Sequence, residues 1–117
     1  HFAVAADDPV LVLSAPVPVT YKLMGRTGMK PDEWDAVECN EAFAAIALMW
    51  QKEFGYPMER YNPRGGAIAL GHPLGASGVA LMTRLLRHLE ATGGRYGFQT
   101  MCEGGGQANA TVVERVV

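Results

Sequence analysis

The chain has 117 residues and a mass of 12.6 kDa, which is the size of one ordinary domain. Hydrophobic residues make up 49% and charged residues 19% of the sequence, and this balance excludes a disordered tail. The net charge of -2 excludes a general electrostatic attraction to nucleic acid or to an anionic membrane. The longest uncharged apolar run, residues 42–50, is far shorter than the ~20 residues of a membrane-spanning helix. We therefore expect neither nucleic acid nor a membrane as a partner.

Apolar periodicity and turn residues divide the chain into strands and helices. Prolines suit the first turn of one helix, and glycines suit the helix ends. In chain order, the predicted elements are a strand over 2–6, a helix over 16–24, a strand over 34–40, helices over 41–54 and 76–92, and strands over 96–102 and 107–117. The last two strands are joined by a short turn and should form an antiparallel hairpin, whereas the first part of the sheet should be parallel. The chain is therefore predicted to be an α/β domain.

Two of the predicted helices differ in how their apolar residues are distributed. The helix over 41–54 is apolar around most of its circumference, which predicts burial on several sides and points to a missing partner. In the helix over 76–92, Arg84 and Arg87 should face away from the core. The buried face of that helix is predicted to carry the apolar residues Val79, Met82, Leu86 and Leu89.

The start of the chain and its cysteines indicate its context. The chain opens in strand-like sequence at Phe2, with no Met, basic segment or signal cleavage pattern, and we interpret it as a fragment of a larger protein. Cys39 and Cys102 form no disulfide framework and have no metal-ligand spacing. They therefore indicate a reducing, cytoplasmic compartment and no metal site.

The first candidate functional motif is Asn40-Glu41-Ala42-Phe43, at a predicted strand-to-helix junction. Ligands bind at the carboxyl ends of strands in open α/β sheets, where the Asn40 amide could donate to a substrate oxygen or hold a water. The structural alternative makes Asn40 an ordinary helix N-cap and lets Glu41 favour the positive helix start. The local sequence alone favours the cap.

The second motif is the glycine-rich segment over 65–78, which contains Gly71-His72-Pro73. Pro73 forces the backbone of His72 out of the α region, and the glycines let another group approach the ring closely. The helix N-terminus that follows disfavours an imidazolium, and a neutral imidazole is what a base near pH 7 requires. The alternative is a structural histidine bonded to backbone groups. The segment lacks a Walker A sequence and the glycine spacing of a dinucleotide fingerprint.

The third motif is Cys102-Glu103-Gly104-Gly105-Gly106, in which a thiol at a strand end enters a turn with accessible N–H groups. Such a turn can hold a developing oxyanion, and its dipoles together with a histidine favour a thiolate. The alternative is a plain hairpin turn with a buried cysteine, which is also our interpretation of Cys39. Together the motifs place Asn40, His72 and Cys102 at loops on the carboxyl side of one sheet. We interpret this as a candidate site for acyl or carbon–carbon chemistry at a thioester.

These three segments resemble, in order and spacing, the three C-terminal signatures of the thiolases, which are acetyl-CoA acyltransferases and acetyl-CoA acetyltransferases. The resemblance covers nearly the whole chain and implies that residues 1–117 are the C-terminal half of a thiolase. It implies a βαβαβαββ fold, in which a mixed sheet carries helices on both faces. The nucleophilic cysteine of the family belongs to the N-terminal half. The implied reaction is reversible Claisen chemistry, in which a 3-ketoacyl-CoA and CoA give an acyl-CoA and acetyl-CoA.

The resemblance also implies a role for each motif. Cys102 resembles the acid/base that moves the α-proton of acetyl-CoA. His72 resembles the histidine that activates the nucleophilic cysteine and donates to the thioester oxygen. Asn40 would hold a water in that oxyanion hole, and the Gly104 N–H would contribute to a second one. Related ketoacyl synthases carry a histidine in place of Cys102, so this cysteine favours a thiolase.

The implied substrate is coenzyme A in its free and acylated forms, with no tightly bound cofactor. Ala42 and Phe43 would line the acyl-pantetheine end of the pocket. Arg64 and Ala108 stand where the family commonly has Asn and Gly, and they leave the chain-length preference open. The implied partners are the N-terminal half and further copies in a homodimer or homotetramer.

Two alternatives to a catalytic domain remain open at this point. One is a thiolase-like protein that binds acyl-CoA or lipid without turnover, and the other is an interaction module. The chain by itself is expected to be inactive. It should also self-associate through the apolar face that normally meets the other half.

Overall fold

Four strands form one mixed sheet in the computed structural model, which describes residues 1–117. The strands β1 (Phe2–Ala6), β2 (Ala36–Cys39), β3 (Tyr96–Glu103) and β4 (Gln107–Glu114) lie in the order β1-β4-β3-β2. β2 pairs with β3 in parallel, whereas β4 is antiparallel to both β3 and β1. β1, β2 and β3 therefore run in the same direction, and their carboxyl ends meet at one end of the sheet. The predicted hairpin is confirmed.

Helices cover both faces of the sheet, as predicted for this α/β fold. They are α1 (Pro16–Thr27), α2 (Ala44–Phe54), α3 (Ala67–Leu70) and α4 (Ser77–Thr92). α1 contacts β1, β3, β4 and α2, and we call this side of the sheet the α1/α2 face. α4 contacts β2 and β3 from the other side, which we call the α4 face. None of these helices combines the length and the apolarity needed to cross a bilayer.

One strand of the implied βαβαβαββ pattern is reduced to a single bridge. Tyr61 makes an isolated parallel bridge to Val37, and no named strand lies between α2 and α3. Pro57 and Pro63 flank this position, and proline removes the N–H that a ladder needs. The sheet consequently has four strands plus this bridge.

Several helix boundaries differ from the predicted ones for local reasons. α1 continues through Gly25 and ends at Gly28, which adopts the left-handed conformation with φ 73°. α2 begins at Ala44, because Phe43 is extended and the carboxylate of Glu41 bonds elsewhere. The glycine-rich segment was predicted as a loop and contains the short helix α3.

The main core lies on the α1/α2 face and is centred on Trp50. Its ring stacks on Tyr61 with a centroid distance of 5.5 Å and on Phe98 at 5.6 Å. The indole N–H donates to Thr20 Oγ1 at 2.8 Å, so the one polar atom of this side chain is satisfied. Within this chain α2 is buried only on the side that faces the sheet, since Leu48 on its outer side is 61% exposed, and burial of that outer side against a missing partner stays a prediction.

The buried face of α4 agrees with the predicted one at Leu89 and Met82 but not at Val79 and Leu86. Leu81, Leu85 and Leu89 face the sheet, whereas Val79 is 73% exposed and Leu86 is 39% exposed. The three buried leucines are spaced four residues apart, and Leu85 packs where a Cβ on Gly97 would lie only 2.8 Å from its Cγ. The lack of a side chain at Gly97 leaves room for Leu85, and this decides which side of α4 packs against the sheet.

The two arginines of α4 behave differently. Arg87 is exposed as predicted. Arg84 was predicted to face away from the core, but its Nη2 lies 3.5 Å from the buried carboxylate of Glu38 on β2. A buried carboxylate needs a positive partner, and Arg84 supplies it.

Candidate functional site

The residues that the sequence predicts for the site lie at the carboxyl end of the sheet. Asn40 directly follows β2, Cys102 is the penultimate residue of β3, and Gly104 begins the turn between β3 and β4. His72 reaches the same end from the loop that connects α3 to α4. Three segments that are distant in sequence therefore meet beside two neighbouring parallel strands.

Asn40 is held rigidly and contacts His72. Its backbone N–H donates to the carbonyl of Thr100 at 3.0 Å, which extends the β2–β3 ladder by one residue. Its side chain is buried, and Nδ2 lies 3.4 Å from His72 Nε2. Its Oδ1 has no hydrogen-bond partner. The N-cap alternative is wrong, because the first residue of α2 is Ala44 and the cap position is Phe43.

His72 is fixed through both ring nitrogens. Nε2 faces Asn40, and Nδ1 lies 2.6 Å from Ser77 Oγ at the start of α4. Gly71 has φ 91°, a conformation that a side chain would strain, and this brings the chain into the His72 position. The alternative of a histidine bonded only to backbone groups is therefore wrong, since both ring nitrogens contact side chains.

The carboxylate of Glu41 binds the glycine-rich segment. The sequence had instead suggested that it favours the start of the following helix. Glu41 Oε1 accepts from Asn62 Nδ2 at 3.0 Å, and Oε2 accepts from the backbone N–H of Ile68 at 3.0 Å. Gly66 lies directly against this carboxyl group, and a Cβ there would overlap it. Glu41 thus ties the segment that leads to His72 to the end of β2.

Asn62 is a positioning residue that sequence reasoning missed. Its Oδ1 accepts from the N–H of Cys39 at 2.8 Å, and its Nδ2 donates to the Cys39 carbonyl at 3.0 Å. The Asn62 side chain therefore makes the two hydrogen bonds with the Cys39 backbone that a residue of a neighbouring strand would otherwise make. Its backbone has φ 46°, which asparagine tolerates better than most residues. This tolerance is the only signal of its role in the sequence, and it is weak. The contact itself could not be predicted, because Asn62 and Cys39 are more than twenty residues apart.

Cys102 lies apart from the Asn40–His72 pair. Its half-buried thiol packs against the core of the α1/α2 face, whereas Asn40 and His72 lie on the α4 side. No hydrogen bond joins the thiol to either residue. Burial raises the pKa of Cys102, and the neighbouring Glu103 raises it further. The predicted stabilisation of its thiolate by the turn is therefore outweighed by burial in this chain.

Cys39 behaves as the sequence predicts for a structural cysteine. It is buried inside β2. Burial raises its pKa to about 12, so this thiol stays protonated at neutral pH. The two cysteines therefore differ in accessibility, and only Cys102 faces the end of the sheet.

The glycine turn after β3 is fixed against the loop that follows β1. The carbonyl of Gly106 accepts from the N–H of Asp7 at 2.8 Å. A Cβ on Gly106 would lie 2.8 Å from the Asp7 carbonyl oxygen, so only glycine fits there. Gly104, which precedes this contact, is exposed at the start of the turn. Its backbone is therefore accessible to a ligand.

Ala42 and Phe43 occupy the connection between β2 and α2. Ala42 is half-buried against the main core, whereas Phe43 is 64% exposed. The larger apolar cavity of the chain, about 390 Å³, lies between α2 and α3 and is lined on one side by Glu41 and Gly66. It does not include Asn40, His72 or Cys102. None of the cavities of the chain is lined by these three residues.

The family of the chain is shown by sequence comparison. Residues 1–115 match the family model described as thiolase, C-terminal domain. The chain belongs to this family. The resemblance drawn from the three motifs is thereby confirmed, and the α/β sheet with helices on both faces agrees with it.

Curated relatives of this thiolase domain are much longer than the chain. It is 53% identical over 99% of its length to a steroid 3-ketoacyl-CoA thiolase, FadA6, of Mycobacterium tuberculosis. It is 47% identical over 93% of its length to a beta-ketoadipyl-CoA thiolase of Acinetobacter baylyi, and 40% identical over 98% to an acetyl-CoA acetyltransferase of Allochromatium vinosum. The matched region is 28%, 28% and 29% of these three relatives. The chain therefore spans less than a third of the relatives that it matches.

Proposed function

We propose that residues 1–117 are the C-terminal domain of a thiolase that is competent only together with an N-terminal half. The reaction is reversible Claisen condensation, or thiolysis of a 3-ketoacyl-CoA to an acyl-CoA and acetyl-CoA. The observation that carries this proposal is the Asn40–His72 contact of 3.4 Å beside the strand that bears Cys102. An amide, an imidazole and a thiol at adjacent strand ends are the groups that enolate chemistry at a thioester needs.

His72 and Asn40 act on the thioester oxygen and on the nucleophile. His72 Nε2 accepts the proton of the nucleophilic thiol in the other half, whose sulfur bonds to the acyl carbon of the first acyl-CoA while the bond from that carbon to the CoA sulfur breaks. The departing CoA thiolate takes the proton of Cys102, which leaves Cys102 as the thiolate. The resulting imidazolium donates to the thioester oxygen of the second substrate. The Asn40 amide holds a water that donates to the same oxygen, and its unpartnered Oδ1 is available for that water.

Cys102 moves the proton at the acetyl carbon. In condensation the Cys102 thiolate takes the α-proton of acetyl-CoA, and the C–H electron pair becomes the enolate that attacks the acyl carbon. The bond from that carbon to the nucleophilic sulfur then breaks, and this sulfur recovers its proton from His72. Because burial raises the pKa of Cys102, its thiol stays protonated near neutral pH until a base such as the departing CoA thiolate removes the proton. The N–H of Gly104 stabilises the negative oxygen of the tetrahedral intermediate at the acyl carbon.

Coenzyme A enters as a substrate, and the proposal includes no tightly bound cofactor. Ala42 and the exposed ring of Phe43 line the acyl-pantetheine end of the pocket. We also propose a homodimer or homotetramer in the cytoplasm, a compartment that the two unpaired cysteines Cys39 and Cys102 support. Breakdown of fatty acyl-CoA by β-oxidation is one pathway that would use this reaction.

The decisive experiment compares Cys102→Ser with wild type in the full thiolase that carries this domain. Wild type should cleave a 3-ketoacyl-CoA and exchange the α-protons of acetyl-CoA with deuterium. The variant should still become acylated, because acylation uses the other cysteine. It should lose α-proton exchange by about 10²–10⁴-fold, the usual contribution of a general base.

The matched control is Cys39→Ala, which removes the buried thiol on the neighbouring strand. It should retain proton exchange, because Cys39 is enclosed in the core and reaches no substrate. Exchange retained in Cys102→Ser would overturn the role of Cys102. A wild-type enzyme that binds acyl-CoA but turns over no 3-ketoacyl-CoA would favour the acyl-CoA or lipid carrier.

A further inference from the structure

The hydroxyl of Ser77 lies between the ring of His72 and the carbonyl of Pro73. Ser77 Oγ donates its single hydrogen to the carbonyl of Pro73 at 3.0 Å. The same oxygen lies 2.6 Å from His72 Nδ1. Donation of the hydroxyl hydrogen to the Pro73 carbonyl leaves the Ser77 oxygen as an acceptor for a hydrogen on His72 Nδ1.

The contact on the other side of the ring requires the same tautomer. A neutral imidazole has one N–H, so a hydrogen on Nδ1 leaves a lone pair on Nε2. Nε2 lies 3.4 Å from the Nδ2 of Asn40, which is a donor. Both neighbours therefore agree on one protonation pattern for His72.

Burial and several hydrogen bonds fix the position of Ser77. It is the first residue of α4, it is 2% exposed, and the cap position before it makes no side-chain hydrogen bond. The Pro73 carbonyl that receives its hydroxyl hydrogen also accepts the backbone N–H groups of Ala76 and Ser77, both at 2.9 Å. The Pro73 carbonyl and the Ser77 hydroxyl are thus both held in place by the turn.

We propose that Ser77 is a positioning residue that keeps His72 in the Nδ1–H tautomer, which leaves Nε2, beside Asn40, without a hydrogen and able to accept a proton. This inference rests on the proposed function, in which Nε2 accepts the proton of the nucleophile. A base in the opposite tautomer would present N–H to that thiol and could not accept its proton. Groups that orient a functional histidine in this way typically change activity by about 10–100-fold when removed.

The test uses the full thiolase in wild-type form and as Ser77→Ala, with kinetics and ¹⁵N spectra of the histidine ring. Wild type should show hydrogen on Nδ1 and none on Nε2 in the neutral ring of His72. Ser77→Ala should populate both tautomers and lose about 10–100-fold in kcat, with little change in the KM for the 3-ketoacyl-CoA. Ser77→Thr restores the hydroxyl and should recover both the kcat and the tautomer.

The control is Thr92→Ala, which removes another hydroxyl that donates to the carbonyl four residues earlier in α4, that of His88 at 2.8 Å. This variant should keep the wild-type kcat and the His72 spectrum, because its hydroxyl lies at the other end of the helix. A wild-type spectrum with hydrogen on Nε2 would overturn the proposal, even if Ser77→Ala does not fold. An unchanged kcat and tautomer in Ser77→Ala would also overturn it.

The same measurements separate this inference from the proposed function. A wild-type enzyme without thiolysis activity would contradict the thiolase assignment. The tautomer spectra of wild type and Ser77→Thr would still decide whether Ser77 orients His72. Conversely, full thiolysis with a Ser77-independent tautomer would leave the thiolase assignment standing and remove only the role of Ser77.

Discussion

The two faces of the sheet differ in how completely their buried polar atoms are hydrogen-bonded. On the α1/α2 face, the hydroxyls of Tyr56 and Tyr61 donate to backbone carbonyls at 2.7 and 2.8 Å, and the Trp50 indole donates to a threonine. Trp34 Nε1 is the one unpartnered buried side-chain atom there. The α1/α2 face is therefore an apolar core with nearly complete hydrogen bonding.

The α4 face buries charge and leaves several polar atoms without partners. Its apolar cluster contains only Ala36, Leu85 and Leu89. Beside this cluster, four buried atoms have no hydrogen-bond partner, namely Glu38 Oε1, Asn40 Oδ1, Arg84 Nε and Gln99 Oε1. Unsatisfied polar groups cost stability, and they are tolerated where function needs them. The comparison assigns stability mainly to the α1/α2 face, whereas Asn40 and His72 lie at the end of the α4 face.

Trp50→Ala should produce the largest loss of stability. The variant removes a fully buried indole, its two stacked aromatic neighbours lose a partner, and Thr20 loses a hydrogen bond. Such a truncation costs about 3–5 kcal/mol of unfolding free energy, a large share of what a domain possesses. Chemical denaturation of the chain measures this loss as a lower midpoint.

Phe43→Ala is the matched control for the aromatic truncation. Phe43 is 64% exposed before the first turn of α2, so its removal should change stability by no more than about 0.5 kcal/mol. Equal losses in the two variants would contradict the view that the α1/α2 face carries the stability.

The second prediction concerns the buried carboxylate of the α4 face. Burial raises the pKa of Glu38 to about 7, and the opposing attraction of Arg84 is smaller. The folded chain therefore binds a proton at this site in a pH range where the unfolded chain has lost it. Stability must fall as the pH rises from about 4.5 to about 7, and it levels off above that range.

Glu38→Gln should remove this pH dependence. Relative to wild type, the variant should gain on the order of 3 kcal/mol of unfolding free energy between pH 4 and pH 8. The control Glu90→Gln removes a carboxylate that pairs with Arg87 at 2.8 Å but is 54% exposed, and it should matter little at either pH. Parallel pH profiles of wild type and Glu38→Gln would refute the prediction.

The sequence predicted those parts of the molecule that depend on neighbouring residues. The strands, the glycine-ended helix α4 and the hairpin follow from local periodicity and turn residues. Asn40 and Cys102 were placed at the carboxyl end of the sheet because each stands at the end of an apolar run. This local reasoning also gave the correct α/β class.

The errors concern contacts between residues that are distant in sequence. The buried face of α4 is decided by Gly97 on β3 and by Glu38 on β2, and neither is visible in the helix itself. Glu41 looks like a helix-start residue until its two bonds to the glycine-rich segment are known. Ser77 stood inside a predicted motif, but only its distance to His72 distinguishes it from any small residue at a helix start.

The smallest predicted effect concerns the outer side of α4, which faces away from the sheet. Val79 is 73% exposed there and Leu86 is 39% exposed, with Thr83 between them at helical spacing. Apolar side chains in such a stripe should make the chain associate with itself, and light scattering should show a concentration-dependent mass. Val79→Asp should weaken the association by about tenfold, since burying one valine contributes about 1.5–3 kcal/mol.

Val116→Asp places the same charge at another exposed valine, 88% exposed, and should leave the association unchanged. A wild-type chain that stays monomeric at every concentration would show that the stripe does not bind a second copy, and equal weakening by both variants would assign the association to net charge.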